Sequence, residues 1–164
     1  MVRVLSCAKI NFYLSINGTD GEGYHLIDTV MSSVSLGDII TVRKNGWDNI
    51  GISCRGVKKE KNSAYIAAKL FKEKFGVCGF DIDIVKNIPF CAGLGGSSAD
   101  AAGVLYALSE MFGADKESLR EICNRCGSDI FYMLGGGYAR ASGRGQIITP
   151  FNLKNDYDIV IAKP

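Results

Sequence analysis

The sequence predicts an α+β fold in which a mixed or antiparallel sheet carries helices packed on it. Three observations lead there. Ser63 to Phe75 and Asp100 to Phe112 each place apolar residues three and four apart, the spacing of one helical face. Phe80 to Val85 reads FDIDIV, the strict alternation of a half-buried strand. Strands and helices are mixed without regular alternation, which argues against a doubly wound parallel sheet. At 164 residues the chain is long enough to bury one core.

Taken in order, Val2 to Leu5 and Ile10 to Ile16 read as strands, with Lys9 and Asn11 as polar interruptions. Asn17 to His25, NGTDGEGYH, is a loop rich in turn residues. Thr29 to Leu36, Asp38 to Arg43 and the short Ile50 to Cys54 follow as strands. Arg55 to Asn62, RGVKKEKN, is a charged and solvated connection. In the first helix the apolar face is Ile66, Ala67, Leu70, Phe71 and Phe75; in the second it is Ala101, Val104, Leu105, Leu108 and Phe112. A third helix is expected over Lys116 to Cys126. Gly135 to Arg140 and Gln146 to Thr149 are expected as strands around a turn at Gly143, and Tyr157 to Ala162, YDIVIA, as a closing strand. No internal repeat or low-complexity tract occurs.

Composition narrows the function classes. Nineteen basic and 17 acidic residues leave a formal charge of +2, and no basic aromatic face is evident, so nucleic acid and membrane surfaces are not expected partners. No run reaches the roughly 18 apolar residues of a membrane helix. The opening MVRVLSCAKI lacks the basic and apolar segments of a secretory signal. Cys7, Cys54, Cys78 and Cys91 lie in apolar stretches, as reduced and mostly buried thiols would. Cys123 and Cys126 form a lone CxxC without a second pair or histidines to complete a zinc site. A reduced, cytoplasmic protein is expected.

The 20 glycines cluster, and the densest cluster is Pro89 to Ala102, PFCAGLGGSSADAA. A strand, then glycines, then a helix is an arrangement that binds anions. The free N–H groups of the first helical turn and the helix dipole both favour negative charge, and glycines let backbone approach phosphate oxygens closely. Ser97 and Ser98 add hydroxyl donors. No lysine follows the last glycine, so this is not a P-loop; nor does a GxGxxG follow the first strand. On the run alone, a flexible connection with a tight helix entry is the remaining alternative.

IPFCAGLGGSSADAA resembles the glycine-rich motif of the GHMP kinases, the superfamily of galactokinase and the homoserine, mevalonate and phosphomevalonate kinases. The opening AKINFYLSINGTDGEGYH, the segment CGSDIFYMLGGG and the later GRGQIITPF resemble one branch, the 4-diphosphocytidyl-2-C-methyl-D-erythritol kinases of non-mevalonate isoprenoid (terpenoid) biosynthesis. The resemblance runs along essentially the whole chain. It implies a GHMP kinase N-terminal domain (ribosomal protein S5 domain 2-like) over residues 1–164. It also implies ATP-dependent phosphorylation of the 2-hydroxyl of the cytidine diphosphate sugar-alcohol, with ATP and Mg²⁺; the metal's ligands are not legible. In that family Pro89, Gly93, Leu94, Gly95, Gly96, Ser97, Ser98 and Ala99 would wrap the ATP phosphates, and Asn62 and Lys86 would lie near adenine.

The same resemblance implies Asp129 as the catalytic carboxylate and Lys9 as its cationic partner. A carboxylate within hydrogen-bond reach can take the proton of an alcohol acceptor as the new bond forms. From the residues alone, Asp129 could equally be a helix cap or a surface acid. Asn11, two residues from Lys9 and so on the same strand face, could orient the substrate hydroxyl. Tyr24 and His25 match the element that holds cytosine, the ring by stacking and the imidazole by hydrogen bonding; unaided, the chain's one histidine reads as a turn residue.

Departures from the family pattern are local. Phe131 stands where proline is usual, Gln146 where glutamate is usual, and Leu26 where an acid often follows the histidine. They imply a reshaped loop after Asp129 and leave kinase chemistry intact. Family members carry a second, C-terminal GHMP domain that closes the cleft, and it is absent from this chain, so full activity is not expected of the chain by itself. Alternatives are another GHMP small-molecule kinase and a nucleotide-binding module inactive on its own. A nucleic-acid-binding domain is a third, because some ribosomal and translational proteins share this fold; the near-neutral charge weighs against it.

Overall fold

The computed structural model describes residues 1–154 and 157–163. Its frame is an antiparallel pair of long strands, β1 (Val2–Thr19) and β2 (His25–Lys44). Each fuses two stretches that read as separate strands. β1 continues through Lys9 and Asn11 because register shifts between Cys7 and Lys9, and between Asn11 and Tyr13, absorb the break in alternation without ending the ladder. β2 continues through Gly37, which pairs with Cys7. The connecting loop is consequently shorter than its turn-rich composition suggests, Asp20 to Tyr24 only.

β2 organises the sheet. One edge pairs with β1; the other pairs with β4 (Phe80–Val85) along Ile39 to Lys44 and with β5 (Tyr138–Gly143) along Ile27 to Ser32. β3 (Ile50–Cys54) adds to β4 in parallel, and β6 (Ile147–Phe151) adds to β5 antiparallel. The sheet is therefore mixed, as expected. β5 begins later than its sequence suggests because Gly135 completes a short helix before it. Tyr157 to Ala162 forms no strand: its apolar residues are exposed, Val160 most of all, and alternation without a partner strand makes no ladder.

α1 (Ser63–Phe75) has the bounds its periodicity predicts, opened by the Asn62 side chain accepting the Ala64 N–H at 2.9 Å and closed by left-handed Gly76. α2 (Gly96–Phe112) starts four residues before Asp100, inside the glycine run. The expected Lys116 to Cys126 helix divides into a 3₁₀ turn, Glu117–Leu119, and α3 (Arg120–Cys126). α4 (Ile130–Gly135) went unread because six residues are too few to show a period.

The core lies between the sheet and the pair α1 and α2. Ile40 and Val42 of β2 and Phe80 and Ile82 of β4 face Phe71, Leu105 and Leu108, all at most 1% exposed. Buried alanines on both helices, including Ala64, Ala68, Ala101 and Ala107, let them approach closely. All six cysteines are free, but Cys78 and Cys91 are exposed, against the expectation of mostly buried thiols: one sits in the turn between α1 and β4, the other on the rim of a cleft. Burial pushes the Cys123 thiol up to about 12, so it acts as a small apolar filler of α3.

Gly103 marks the tightest helix–sheet approach. A Cβ there would stand 2.8 Å from Ile40 Cγ1 and 2.9 Å from Ser6 Cβ. Gly103→Ala should destabilise the fold by up to about 2 kcal/mol, an overpacking cost of about 1–3 kcal/mol less a helix-propensity gain of about 1. Urea unfolding midpoints of the two proteins measure it; a raised midpoint would contradict the packing described.

Candidate active site

The glycine run becomes the entry to α2. Gly95 takes a left-handed conformation, φ +70°, and its carbonyl accepts the Ala99 N–H at 2.8 Å, the first helical bond. The N–H groups of Gly96, Ser97 and Ser98 precede that bond and have no helical acceptor. Glycine is favoured at position 95 by the left-handed φ, and a Cβ would in addition have to displace the Met133 methyl and press on Lys9 Cγ. The Lys9 N–H donates to the Leu94 carbonyl at 3.0 Å, sewing the loop onto β1.

A second helix start meets the first. Ser63, the first residue of α1, holds its hydroxyl 2.7 Å from that of Ser97. Between them opens a cleft of ≈ 370 Å³ lined by Asn62, Ser63, Lys86, Ile88 to Ser98 and Asp100. Two helix dipoles thus present their positive ends to one cavity, an electrostatic setting for a polyanion.

Lys9 and Asp129, far apart in sequence, come together beside this loop. Lys9 Nζ stands 3.8 Å from Asp129 Oδ2 and donates to Asn11 Oδ1 at 2.6 Å. Asn11 Nδ2 donates in turn to Thr29 Oγ1 at 2.7 Å, and that hydroxyl donates to the Tyr13 carbonyl at 2.6 Å. Asp129 precedes α4 but makes no capping hydrogen bond, so its carboxylate is left for other work; 31% of the side chain is exposed. Of its two bland readings, the cap is thereby excluded.

Other expected residues take different places. Asn62 lines the cleft, yet its Oδ1 is spent on capping α1. Ala99 is fully buried against Ala8, Ile88 and Leu94, and its N–H is committed to Gly95, so it contributes no free donor. Tyr24 and His25 lie at the far end of the β1–β2 hairpin, both exposed. Lys86 has no free charge to offer: its ammonium is clamped between Asp38 Oδ2 at 2.5 Å and Asp100 Oδ2 at 2.7 Å, and the side chain is 9% exposed.

Asp38 and Asp100 were missed by the sequence reading, the first taken as a strand start and the second as a helix start. Asp38 in SLGDIITV, a lone acid ahead of an apolar strand, was the available signal. It is wholly buried, and its Oδ1 accepts the N–H groups of Asn87 at 2.6 Å and Ile88 at 2.8 Å, just ahead of Pro89. Burial works to lower the Lys86 pKa, but hydrogen bonds to Asp100 and Asp38 outweigh it and leave the ammonium raised. Burial pushes Asp100 up to about 7, Asp38 adding to the rise and Lys86 opposing it. Asp100 Oδ1 has no hydrogen-bond partner.

Comparison with known proteins places this geometry. Residues 62–139, which include the glycine loop, α2 and Asp129, match the GHMP kinases N terminal domain. The fold is that of a GHMP kinase N-terminal domain. It is 42% identical over 166 residues to the 4-diphosphocytidyl-2-C-methyl-D-erythritol kinase of Synechocystis, a match covering 95% of this chain and 53% of that protein. The namesake from Clostridium beijerinckii is 40% identical over 169 residues, 99% of this chain and 60% of the relative. A crystal structure of 4-(cytidine 5'-diphospho)-2C-methyl-D-erythritol kinase superposes with a TM-score of 0.82 at 34% identity, over 93% of this chain and 56% of that one. The chain spans little more than half the length of these relatives. Among the described residues, no helix of this GHMP domain is long and apolar enough to cross a membrane.

The raised Asp100 pKa makes stability pH-dependent with a definite sign. Between 3.8, its ordinary value, and about 7 the native state keeps a proton that the unfolded chain releases. Stability should therefore fall as pH rises through this window, by at most roughly 1.4 kcal/mol per pH unit, and level off above it. Asp100→Asn should flatten that portion of the profile. Urea midpoints at pH 5, 6, 7 and 8 for both proteins measure it, and parallel profiles would count against a protonated Asp100.

Proposed function

We propose that this chain is the N-terminal, ATP-binding part of a cytoplasmic kinase that phosphorylates the 2-hydroxyl of 4-diphosphocytidyl-2-C-methyl-D-erythritol in non-mevalonate isoprenoid biosynthesis. The observation that carries the reading is the Lys9–Asp129 pair, 3.8 Å apart and placed against the glycine loop by the Lys9 main-chain bond to Leu94. It supplies a carboxylate for an alcohol proton beside a loop suited to triphosphate. The names and likeness of the relatives support the substrate assignment.

In this reading the loop amides of Gly95 to Ser98 hold the ATP phosphates and bring the terminal phosphoryl group toward Asp129. The substrate oxygen bonds to that phosphorus as its bond to the ADP oxygen breaks. The hydroxyl proton passes to Asp129. Lys9 pairs with the carboxylate before transfer and offsets charge on the transferring group. Asn11 steers Lys9 through its Oδ1, is anchored by its Nδ2 bond to Thr29 Oγ1, and has its second amide hydrogen left for the substrate hydroxyl. Tyr24 and His25 receive cytosine.

Mg²⁺ accompanies ATP in phosphoryl transfer and neutralises phosphate charge. Among the described residues no three His, Cys, Asp or Glu side chains cluster as a metal cage. That suits an ion carried mainly by phosphates and water, with the Ser97 and Ser98 hydroxyls as the protein oxygens at the loop. The relatives' greater length supports a second GHMP domain that completes the cleft. Joining such a segment to this chain should raise turnover well above that of the chain alone, and an unchanged rate would sink that part of the reading.

Calorimetric titration with a non-hydrolysable ATP analogue and Mg²⁺, then with 4-diphosphocytidyl-methylerythritol, tests the assignment: both should bind. Binding of the analogue alone would leave another GHMP kinase or a nucleotide-binding module. Asp129→Asn should lower phosphoryl transfer by about 10²–10⁴-fold, the usual scale for a general base, with analogue affinity preserved. Gly95→Val should abolish analogue binding, because its side chain would collide with Met133 and Lys9. An Asp129→Asn protein that turns over like the wild type would overturn the catalytic role.

A further inference from the structure

Arg144 lies in the β5–β6 turn, was given no role above, and makes three contacts with the loop that carries Tyr24. Its Nε donates to Asp20 Oδ2 at 2.5 Å and its Nη2 to Glu22 Oε2 at 2.7 Å. Its guanidinium plane sits over the Tyr24 ring, 4.1 Å from the centroid. Asp20 is the organiser of that loop: its Oδ1 accepts the N–H groups of Glu22 and Tyr24 at 2.9 and 3.0 Å, and its own N–H donates to the Tyr24 carbonyl at 2.9 Å. Arg144 therefore grips both the acid that shapes the loop and the ring the loop displays.

The same turn reaches the other end of the site. Gly145, the next residue, packs on Ser128: a Cβ there would lie 3.4 Å from Ser128 Cβ, one residue before Asp129. The turn is itself braced by Gln146, whose Oε1 accepts the Arg144 N–H at 2.6 Å. One three-residue turn, Arg144 to Gln146, thus connects the Tyr24 loop with the segment bearing the catalytic carboxylate. Tyr24 is 57% exposed, so its ring retains surface for a second planar group.

We infer that Arg144 is a positioning residue for the cytidine end of the substrate, backing Tyr24 as a stacking platform and fixing its place relative to Asp129. This rests on the reading of Tyr24 and His25 as the cytosine site. A guanidinium suits the task because it is planar, stacks on an aromatic face and still pairs with two carboxylates. A lysine in its place could keep a charge near Asp20 and Glu22 but could not stack.

The test uses the chain with Arg144→Gln and Arg144→Lys, with two readouts. Native-state hydrogen exchange follows the Gly23 and Tyr24 amides, and calorimetry follows cytidine 5'-monophosphate and a non-hydrolysable ATP analogue separately. Arg144→Gln should speed exchange at both amides and weaken the cytidine nucleotide about tenfold, the scale of a stacked cation–π contact with its ion pairs. Affinity for the ATP analogue should not change. Arg144→Lys should slow exchange back toward wild type while restoring only part of the cytidine affinity. Unchanged exchange in Arg144→Gln would overturn the inference, as would faster exchange with undiminished cytidine binding, or full rescue by lysine. Failure of the wild-type chain to bind the cytidine nucleotide would instead overturn the reading of Tyr24 and His25, and the inference with it.

Discussion

The cleft depends on a buried charge network that touches no ligand in the proposed chemistry. Asp38 in β2, Lys86 after β4 and Asp100 in α2 join the sheet, the segment leading into the glycine loop and the helix that follows it. Asp38 also takes two main-chain N–H groups, so residues 86–88 cannot slide along the sheet without breaking four polar contacts at once. Such a network is a poor source of net stability, because removing three charges from water costs about as much as their pairing returns. What it supplies is position: the start of α2 and the end of β4 are held at a fixed spacing, and the loop between them has its shape imposed from both ends.

With both ends fixed, the loop need not be rigid in itself. Gly93 and Gly95 take left-handed backbone, Cys91 does so without being glycine, and the whole stretch is tied to β1 only at Leu94. The cavity beside it takes its electrostatic character from backbone as well as from Lys61 on its wall. Lys86 is neutralised by its two carboxylates, while α1 and α2 both point their N-terminal ends inward. An anion held chiefly by N–H groups is bound by shape, which suits a phosphate chain that must be delivered to Asp129 at one position. On the other side of the loop Lys9 pairs with Asp129, the side on which the proposed transfer would take place.

Much of this was legible in the sequence, and the illegible parts share a cause. α1, β3 and β4 have the bounds their periodicity gives, because each is regular and bounded by turn residues. Lys9, Asp129 and the glycine run were found through a motif resemblance and are brought together in space. Local pattern could not show that β1 and β2 continue through polar residues and Gly37, since bulges and a shared ladder, not composition, keep them going. Nor could it show what Lys86 does. A lysine near a phosphate loop reads as a ligand until two acids, 48 and 14 residues away in sequence, are seen to claim it. Tertiary charge pairing leaves no periodic trace.

Two of the departures from the family pattern take on meaning from the same geometry. Phe131 lies in α4, and its ring centroid sits 3.9 Å from the Arg120 guanidinium carbon, which packs α4 against α3. Gln146 keeps an oxygen where glutamate is usual, and that oxygen closes the β5–β6 turn by accepting the Arg144 N–H. A neutral amide does this as well as a carboxylate, and it adds no third acid to Asp20 and Glu22 around one guanidinium. The substitution therefore preserves the turn while leaving Arg144 to be shared by two carboxylates and an aromatic ring, the condition under which one side chain can hold the Tyr24 loop at a set distance from the segment that carries Asp129.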